Sequence, residues 1–156
     1  MITIITGSIN RGKTTKMIEH YHTHLKGDGF VSLKIMDIDH VNHYETMKLS
    51  TQEKKVIMVH ELDYLNKDQE GTVKIGPYYL IYDAFSWVED EIRKMIQKRT
   101  SPIYLDEIGM LELKGEGFHQ ILCEMLASDL DLILVVRESL RHDVVSTYQM
   151  KDVRFM

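Results

Sequence analysis

Eight residues near the start of the chain have the types and spacing of the Walker A phosphate-binding loop: Gly7-Ser8-Ile9-Asn10-Arg11-Gly12-Lys13-Thr14. Glycines at both ends of such a loop let the backbone curve until several N–H groups point at one phosphate. The amine of Lys13 can then reach the β- and γ-phosphates, and the hydroxyl of Thr14 can bind a metal ion. These residues therefore predict a site for a nucleoside triphosphate, with Mg²⁺ as its cofactor.

Two adjacent carboxylates, Asp106 and Glu107, follow the apolar run at residues 103–105. An acid at a strand end beside a Walker A loop can hold Mg²⁺ through water, and we expect this role for Asp106. Glu107 leaves the strand in another direction and can orient and deprotonate the water that attacks the γ-phosphorus. The alternative is that the two acids only end a strand or cap the next helix.

Phosphoryl transfer also needs positive charge near the phosphates in the transition state, and an arginine is the common source. Arg11 lies inside the predicted loop, and Arg137 follows the predicted strand 130–136. We expect Arg137 to act as a catalytic residue together with Lys13 and Glu107. Because arginine side chains are mostly exposed in folded proteins, a solvated surface position is the alternative for Arg137.

Histidines cluster in two places where a metal site has to be considered. His20 and His24 share one face of the helix predicted behind the loop. We expect that face to be exposed, because a catalytic zinc normally takes three protein ligands. The second cluster lies in a predicted polar turn and contains Asp37, Asp39, His40 and His43. Turn chemistry favours a solvated hairpin there, and a lid over the nucleotide is the alternative.

The hydrophobic pattern places the loop and the acids at one edge of a sheet. Residues 1–6 have the pattern of a strand, and a helix begins near residue 13, directly behind the loop. Strands then alternate with helices, which predicts a mainly parallel sheet with right-handed crossovers. In such sheets ligands bind beyond the carboxyl ends of the strands, where both Gly7 and Asp106 fall.

The remaining elements are predicted from the same periodicities. Strands at residues 30–36 and 44–49 are joined by a polar turn, which predicts a β-hairpin. Further strands are predicted at residues 56–59, 78–82, 103–106, 130–136 and 153–155, and the polar stretch 66–74 separates the first two of them. Helices are predicted at 85–99, 117–127 and over part of 138–150.

Several stretches together resemble one family of small nucleoside triphosphatases, known as the thermophilic or cancer-related type. The strongest, beside the Walker A loop, is Asp106-Glu107-Ile108-Gly109-Met110-Leu111-Glu112-Leu113 followed by Phe118, which is similar to the Walker B segment of that family. The family spacing also recurs in Gly29-Phe30 and in Ile75-Gly76-Pro77-Tyr78 with Asp83 and Phe85. The resemblance covers most of the chain.

This resemblance implies a three-layer α/β/α P-loop fold, Rossmann-like, and slow Mg²⁺-dependent hydrolysis of ATP, GTP and other nucleoside triphosphates. Carried over by motif, it assigns phosphate and metal binding to Gly12, Lys13, Thr14 and Thr15, and the Walker B roles to Asp106 and Glu107. The chain departs from the family at two places. Met110 stands where a lysine is usual, and the family arginine after the Gly-Phe pair is absent from residues 32–36.

The length, the net charge and the lengths of the apolar runs bear on the class of protein. A chain of 156 residues is expected to form one P-loop domain over residues 1–156. A net charge of −5 argues against a nucleic-acid partner. No apolar run is long enough for a membrane span, so we expect a cytoplasmic enzyme.

The function expected from these observations is a hydrolase that cleaves nucleoside triphosphates to the diphosphate and phosphate. Two alternatives stay open: a P-loop kinase that transfers the γ-phosphoryl group to a small acceptor, and a nucleotide-gated switch with little turnover of its own.

Overall fold

The computed structural model describes residues 1–7, 12–64 and 71–156. The strands are β1 Ile2–Gly7, β2 Asp28–Met36, β3 Val41–Lys48, β4 Lys54–His60, β5 Thr72–Ile75, β6 Tyr78–Ile81, β7 Ile103–Ile108, β8 Leu132–Arg137 and β9 Val153–Phe155. The helices are α1 Lys13–His24, α2 Tyr82–Gln97, α3 Met110–Leu113, α4 His119–Ala127 and α5 Arg141–Thr147, with a 3-10 turn at Glu138–Leu140.

The strands of these ranges form one sheet in the order β5-β6-β4-β3-β2-β7-β8-β1-β9. Five neighbouring strands are parallel to one another: β2, β7, β8, β1 and β9. Strands β7 and β8 are nearly continuous apolar runs, because both faces of a central parallel strand are covered. The predicted parallel centre of the sheet is confirmed.

The other half of the sheet is antiparallel and larger than expected. β2 and β3 form the predicted hairpin, but β4, β6 and β5 continue it edge to edge. We call β3, β4, β5 and β6 the antiparallel extension. The described part of the polar stretch, for which no strand is predicted, contributes to β5, because Thr72–Ile75 completes a second hairpin against β6.

Helices cover both faces of the parallel half, which confirms the three-layer arrangement. Met17 of α1 packs into one hydrophobic core, whereas α2, α4 and α5 pack into the other. The buried side chains of β8 alternate between the two cores: Leu132, Leu134 and Val136 in one, Ile133 and Val135 in the other. Within the described residues no helix is long and apolar enough to cross a lipid bilayer.

Strand β1 is held on both sides, although it comes first in the sequence. β8 pairs with it along its whole length, and β9 pairs with Ile2, Thr3 and Ile4 on the other side. The contact continues past β9, since the Met156 amide donates to the Ile4 carbonyl at 2.9 Å. The strand that leads into the Walker A loop is therefore an interior strand.

Gly29 lies where β2 and β7 approach each other too closely for a side chain. It pairs with Tyr104, its φ is +158°, and a Cβ at this position would overlap the Tyr104 backbone. We expect Gly29→Ala to lower the free energy of unfolding by about 3 kcal/mol. The new methyl group would push β2 and β7 apart, and the backbone strain of an alanine at this φ adds to that cost.

Chemical denaturation of Gly29→Ala beside Gly76→Ala measures this effect. Gly76 also has a positive φ, +56°, but a Cβ there meets no atom within 4 Å. The Gly76 variant is expected to lose only about 1–2 kcal/mol from backbone strain. Equal losses in the two variants would show that the close approach to Tyr104 is not the cause.

Candidate active site

The end of the Walker A motif forms the start of helix α1. Gly12 has a left-handed backbone with a φ of 74°, and its carbonyl accepts the Lys16 amide at 2.9 Å, which begins the helical hydrogen bonding. Lys13 follows as a buried residue. The predicted loop residues Ser8, Ile9, Asn10 and Arg11 lie outside the residues that the structure describes, and Gly7 ends β1 beside Arg137 of β8.

Asp106 and Glu107 lie in an irregularity of β7. Leu105 is opposite Leu134 and Ile108 is opposite Val136, so β7 has one residue more than β8 between these two pairs. Such bulges are frequent beside active sites because they redirect side chains. Here the bulge accompanies two consecutive acids that occupy different surroundings, one buried and the other at a cavity wall.

The Asp106 carboxylate is buried directly against the Walker A threonine. Its Oδ2 accepts hydrogen bonds from the Thr14 hydroxyl at 2.7 Å and from the Ser32 amide at 3.0 Å. The other oxygen, Oδ1, is buried and has no hydrogen-bond partner among the described residues. Burial raises the pKa of Asp106 to about 6, although the bonds from Thr14 and Ser32 oppose this.

These oxygens fit a small hard cation. The Thr14 hydroxyl and the Asp106 carboxylate lie side by side, and oxygen ligands of this kind are the ones that Mg²⁺ prefers. The buried, unpartnered Oδ1 would gain a favourable interaction if a cation or its hydration water lay next to it. The donor set therefore suits Mg²⁺ with a triphosphate.

A cavity of about 300 Å³ lies beside Thr14, and Asp106 is not among the residues that line it. We call it the triphosphate cavity, because the Walker A residues form its floor. Its lining brings together residues that the sequence predicts and three from β2 that it does not: Gly12, Lys13, Thr14, Thr15, Ser32, Leu33, Lys34 and Glu107.

Strand β2 reaches the triphosphate cavity because it separates from β7. The two strands pair only from Asp28 to Phe30, while β2 continues beside β3 as far as Met36. The Ser32 amide is thereby left to donate to Asp106, and Lys34 comes to the cavity wall. The period-two alternation that puts Ser32 and Lys34 on one face of the strand was the available signal for this role.

A second cavity, of about 280 Å³, lies on the other side of Glu107. We call it the aromatic cavity, because its lining includes Tyr44, Tyr78, Phe85 and Phe118. Asp106 and Arg137 both line this cavity and not the triphosphate cavity. The Arg137 Nε is buried and has no hydrogen-bond partner among the described residues. Glu107 belongs to both linings, so it stands between the two cavities.

Glu112 holds the segment behind the two acids and was not singled out from the sequence. Its carboxylate accepts the Gly109 amide and the Phe118 amide, each at 2.8 Å. Burial raises the pKa of Glu112, and these two hydrogen bonds favour its charged form. The residue thereby joins the start of α3 at Gly109 to the start of α4 at Phe118, and holds the chain that leaves Glu107. Its spacing from Gly109, the signal of a capped first turn, could have indicated this contact.

Comparison with known proteins decides the family. The model of the family described as NTPase matches residues 2–156. This chain belongs to that family. Its members are nucleoside triphosphatases, so the enzyme class expected from the sequence and the resemblance to this group are confirmed.

Similar proteins agree with this placement. The chain is 27% identical over 139 residues to the protein named nucleoside-triphosphatase THEP1 of Methanocaldococcus jannaschii. The aligned region covers 86% of this chain and 77% of that protein. The crystal structure of THEP1 from Aquifex aeolicus superposes with a TM-score of 0.69 at 18% identity, over 100% of this chain and 88% of the other. The solution structure of a human cancer-related nucleoside triphosphatase gives 0.67 at 19% identity, over 99% and 86%. These two structures share the fold.

The pKa of Asp106 predicts how stability depends on pH. Because the folded pKa of about 6 lies above the ordinary aspartate value of 3.8, the folded state holds the proton more tightly. The free energy of unfolding of the ligand-free protein should therefore fall as the pH rises from about 4 through about 6. Asp106→Asn removes the charge, and we expect it to be more stable than the natural protein at pH 7 by roughly 1–3 kcal/mol.

Thermal unfolding of both proteins between pH 4 and pH 8 tests this expectation. The advantage of Asp106→Asn should disappear near pH 4, where the native carboxyl group is also neutral. Glu53→Gln, which neutralises an exposed acid, serves as the control and should show no such gain. A variant at Asp106 that is less stable at pH 7 would contradict the assignment of a costly buried charge.

Proposed function

We propose that the protein hydrolyses nucleoside 5′-triphosphates, including ATP and GTP, to the diphosphate and phosphate with Mg²⁺. The observation that carries the proposal is the buried contact between the Thr14 hydroxyl and the Asp106 carboxylate, next to a cavity that Glu107 also lines. Membership of the NTPase family supports the hydrolytic reaction. The proposal includes several bases, because the contacts named here concern the triphosphate group and the cation.

The Walker A residues would hold the triphosphate. Backbone amides of the loop and the amine of Lys13 bind the β- and γ-phosphates, with Thr15 at the cavity wall, and the positive end of α1 favours the negative charge there. The loop residues in this role are Gly7, Ser8, Ile9, Asn10, Arg11 and Gly12. The Thr14 hydroxyl and, through water, Asp106 would hold Mg²⁺, which neutralises charge on the phosphates.

Glu107 is the residue that we assign to the attacking water. The water oxygen forms a bond to the γ-phosphorus, the bond to the bridging oxygen breaks, and the water proton passes to the Glu107 carboxylate. Glu107 can accept it because its side chain reaches the wall of the triphosphate cavity without belonging to the cation site. Water can arrive through the aromatic cavity, which Glu107 also borders.

Slow turnover is part of the proposal. Lys13 and Lys34 are the cationic residues that line the triphosphate cavity within the described ranges, and Arg137 lines the other cavity. A lysine offers a point charge, whereas an arginine forms two parallel hydrogen bonds to a phosphoryl group. Arg137 would act from the far side of Glu107 and contribute less than an arginine directly at the γ-phosphate.

We further propose that residues 1–156 act as one catalytic domain, because elements from across the sequence, from β1 to β8, build the site. The expected partner is the nucleoside triphosphate, and no nucleic acid or membrane partner is invoked. The cytoplasmic location expected from the sequence stays a prediction.

Phosphate release from ATP, GTP, CTP and UTP, with Mg²⁺ and with a chelator, tests the proposed reaction. We expect Mg²⁺-dependent release, its loss in Lys13→Ala, and a kcat of Glu107→Gln that is about 10²–10⁴-fold lower, because a general base contributes that much. Triphosphate binding by the Glu107 variant should persist. The exposed Glu116→Gln is the matched control. Unchanged turnover in Glu107→Gln would reject the general base.

The aromatic cavity favours one second candidate, a kinase that transfers the γ-phosphoryl group to a small acceptor. The cavity borders Glu107 and carries several aromatic side chains, as pockets for small molecules often do. A phosphorylated product detected by ³¹P NMR in mixtures of nucleosides and small alcohols would favour the kinase. Release of inorganic phosphate alone, unchanged by every acceptor, would favour the hydrolase.

A further inference from the structure

Three side chains from separate segments converge at the outer end of the antiparallel extension. His40 lies in the turn between β2 and β3, His60 ends β4, and Asp63 lies in the turn that follows β4. Each offers one ligand atom, and these atoms all lie within 4.8 Å of one another. All three residues are partly buried.

The cluster contains one side chain, His60, that an ion pair between His40 and Asp63 does not require. His40 Nε2 lies 2.8 Å from Asp63 Oδ2, which is enough to neutralise a protonated His40. The ring of His60 is nevertheless packed against the ring of His40, with 4.4 Å between their centroids. The ion pair of His40 with Asp63 does not need this second imidazole, whereas one divalent cation can bind all three groups.

The surroundings fix the two rings in place. Asp39 Oδ1 lies 2.7 Å from His40 Nδ1, so the nitrogen that faces away from Asp63 can donate to a carboxylate. This carboxylate–histidine pair is the usual support behind a histidine that binds a metal. The ring of His60 makes an edge contact with Tyr78. The Leu62 amide donates to its Nδ1 at 3.2 Å, so a bound ion would either replace this amide at Nδ1 or, at Nε2, require Nδ1 to carry the proton and give up this bond.

We propose that His40, His60 and Asp63 bind a divalent transition-metal ion of the Zn²⁺ type. Two imidazoles and a carboxylate are ligands that suit Zn²⁺ and its neighbours, whereas Mg²⁺ prefers oxygen ligands only. Three protein ligands leave a fourth position for water. This site differs in chemistry from the oxygen-lined site at Thr14 and Asp106, and it does not depend on the proposed reaction.

The ion lies beyond the end of β2, a strand that also lines the triphosphate cavity. Ser32 of β2 lines that cavity, and Met36, four residues farther along, ends the strand about 13 Å away at ~3.3 Å per residue. His40 lies in the turn beyond Met36. Metal binding would join this turn to the end of β4 and so stabilise the extension.

The experiment uses the full chain without an affinity tag, freed of metal by a chelator and kept in excess Mg²⁺. Calorimetry with Zn²⁺ and the visible absorption of added Co²⁺ report binding without any nucleotide. We expect one equivalent to bind and a rise in Tm with Zn²⁺. His40→Ala, His60→Ala and Asp63→Asn should each weaken binding by more than tenfold, and Asp39→Asn by about 10–100-fold.

The controls are histidines outside the cluster. His43 lies in the neighbouring strand β3 with Glu45 at 3.1 Å, and His24 stacks on His20 in α1. His43→Ala and His24→Ala should retain full affinity. If His60→Ala does not fold, as judged by circular dichroism, His60→Gln replaces it.

Three results would overturn the proposal. The first is the absence of saturable binding of one Zn²⁺. The second is binding that His24→Ala removes and His40→Ala does not. The third is unchanged affinity in the folded His60 variant, which would show that His40 and Asp63 form an ion pair only.

Discussion

A carboxylate that is shielded from water is costly to keep charged, and the position of Asp106 places this cost in the middle of the protein. The Thr14 hydroxyl and the Ser32 amide donate hydrogen bonds to one carboxylate oxygen only, and the other oxygen has no hydrogen-bond partner among the described residues. Those two donors come from α1 and from β2, the strand next to β7 in the sheet. The arrangement joins three elements at one buried charge and leaves that charge ready for a cation.

Strand β2 pairs with the parallel strand β7 at its start and with the antiparallel strand β3 farther along, and the triphosphate cavity lies where it leaves β7. Its first residues pair with β7 and are too close to tolerate a side chain at Gly29. Beyond Phe30 it pairs with β3 alone, so the sheet opens beside Asp106. The antiparallel extension is therefore part of the site, because it carries β2 away from the parallel strands and brings Lys34 to the cavity wall.

The sequence was sufficient for those features that depend on local patterns. A phosphate-binding loop has a fixed order of residue types, and a central strand that ends in acids has a recognisable composition, so both the Walker A segment and Asp106 could be located. The size of the antiparallel extension could not, since β5 is short and pairs through its backbone with β6. Lys34, Glu112 and the partner of His40 were also missed, because their roles depend on contacts between distant segments. Asp63, for example, lies 23 residues after His40.

The pairing of β9 with β1 has a consequence for the order of folding during synthesis. Strand β1 leads into the Walker A loop and precedes residues 153–156 in the sequence, so it is synthesised before them. Until they emerge, one edge of β1 exposes the backbone groups that later bond to Asp152 and Met156. The strand that carries the phosphate-binding loop therefore reaches its final hydrogen bonding only after residues 152–156 have been translated.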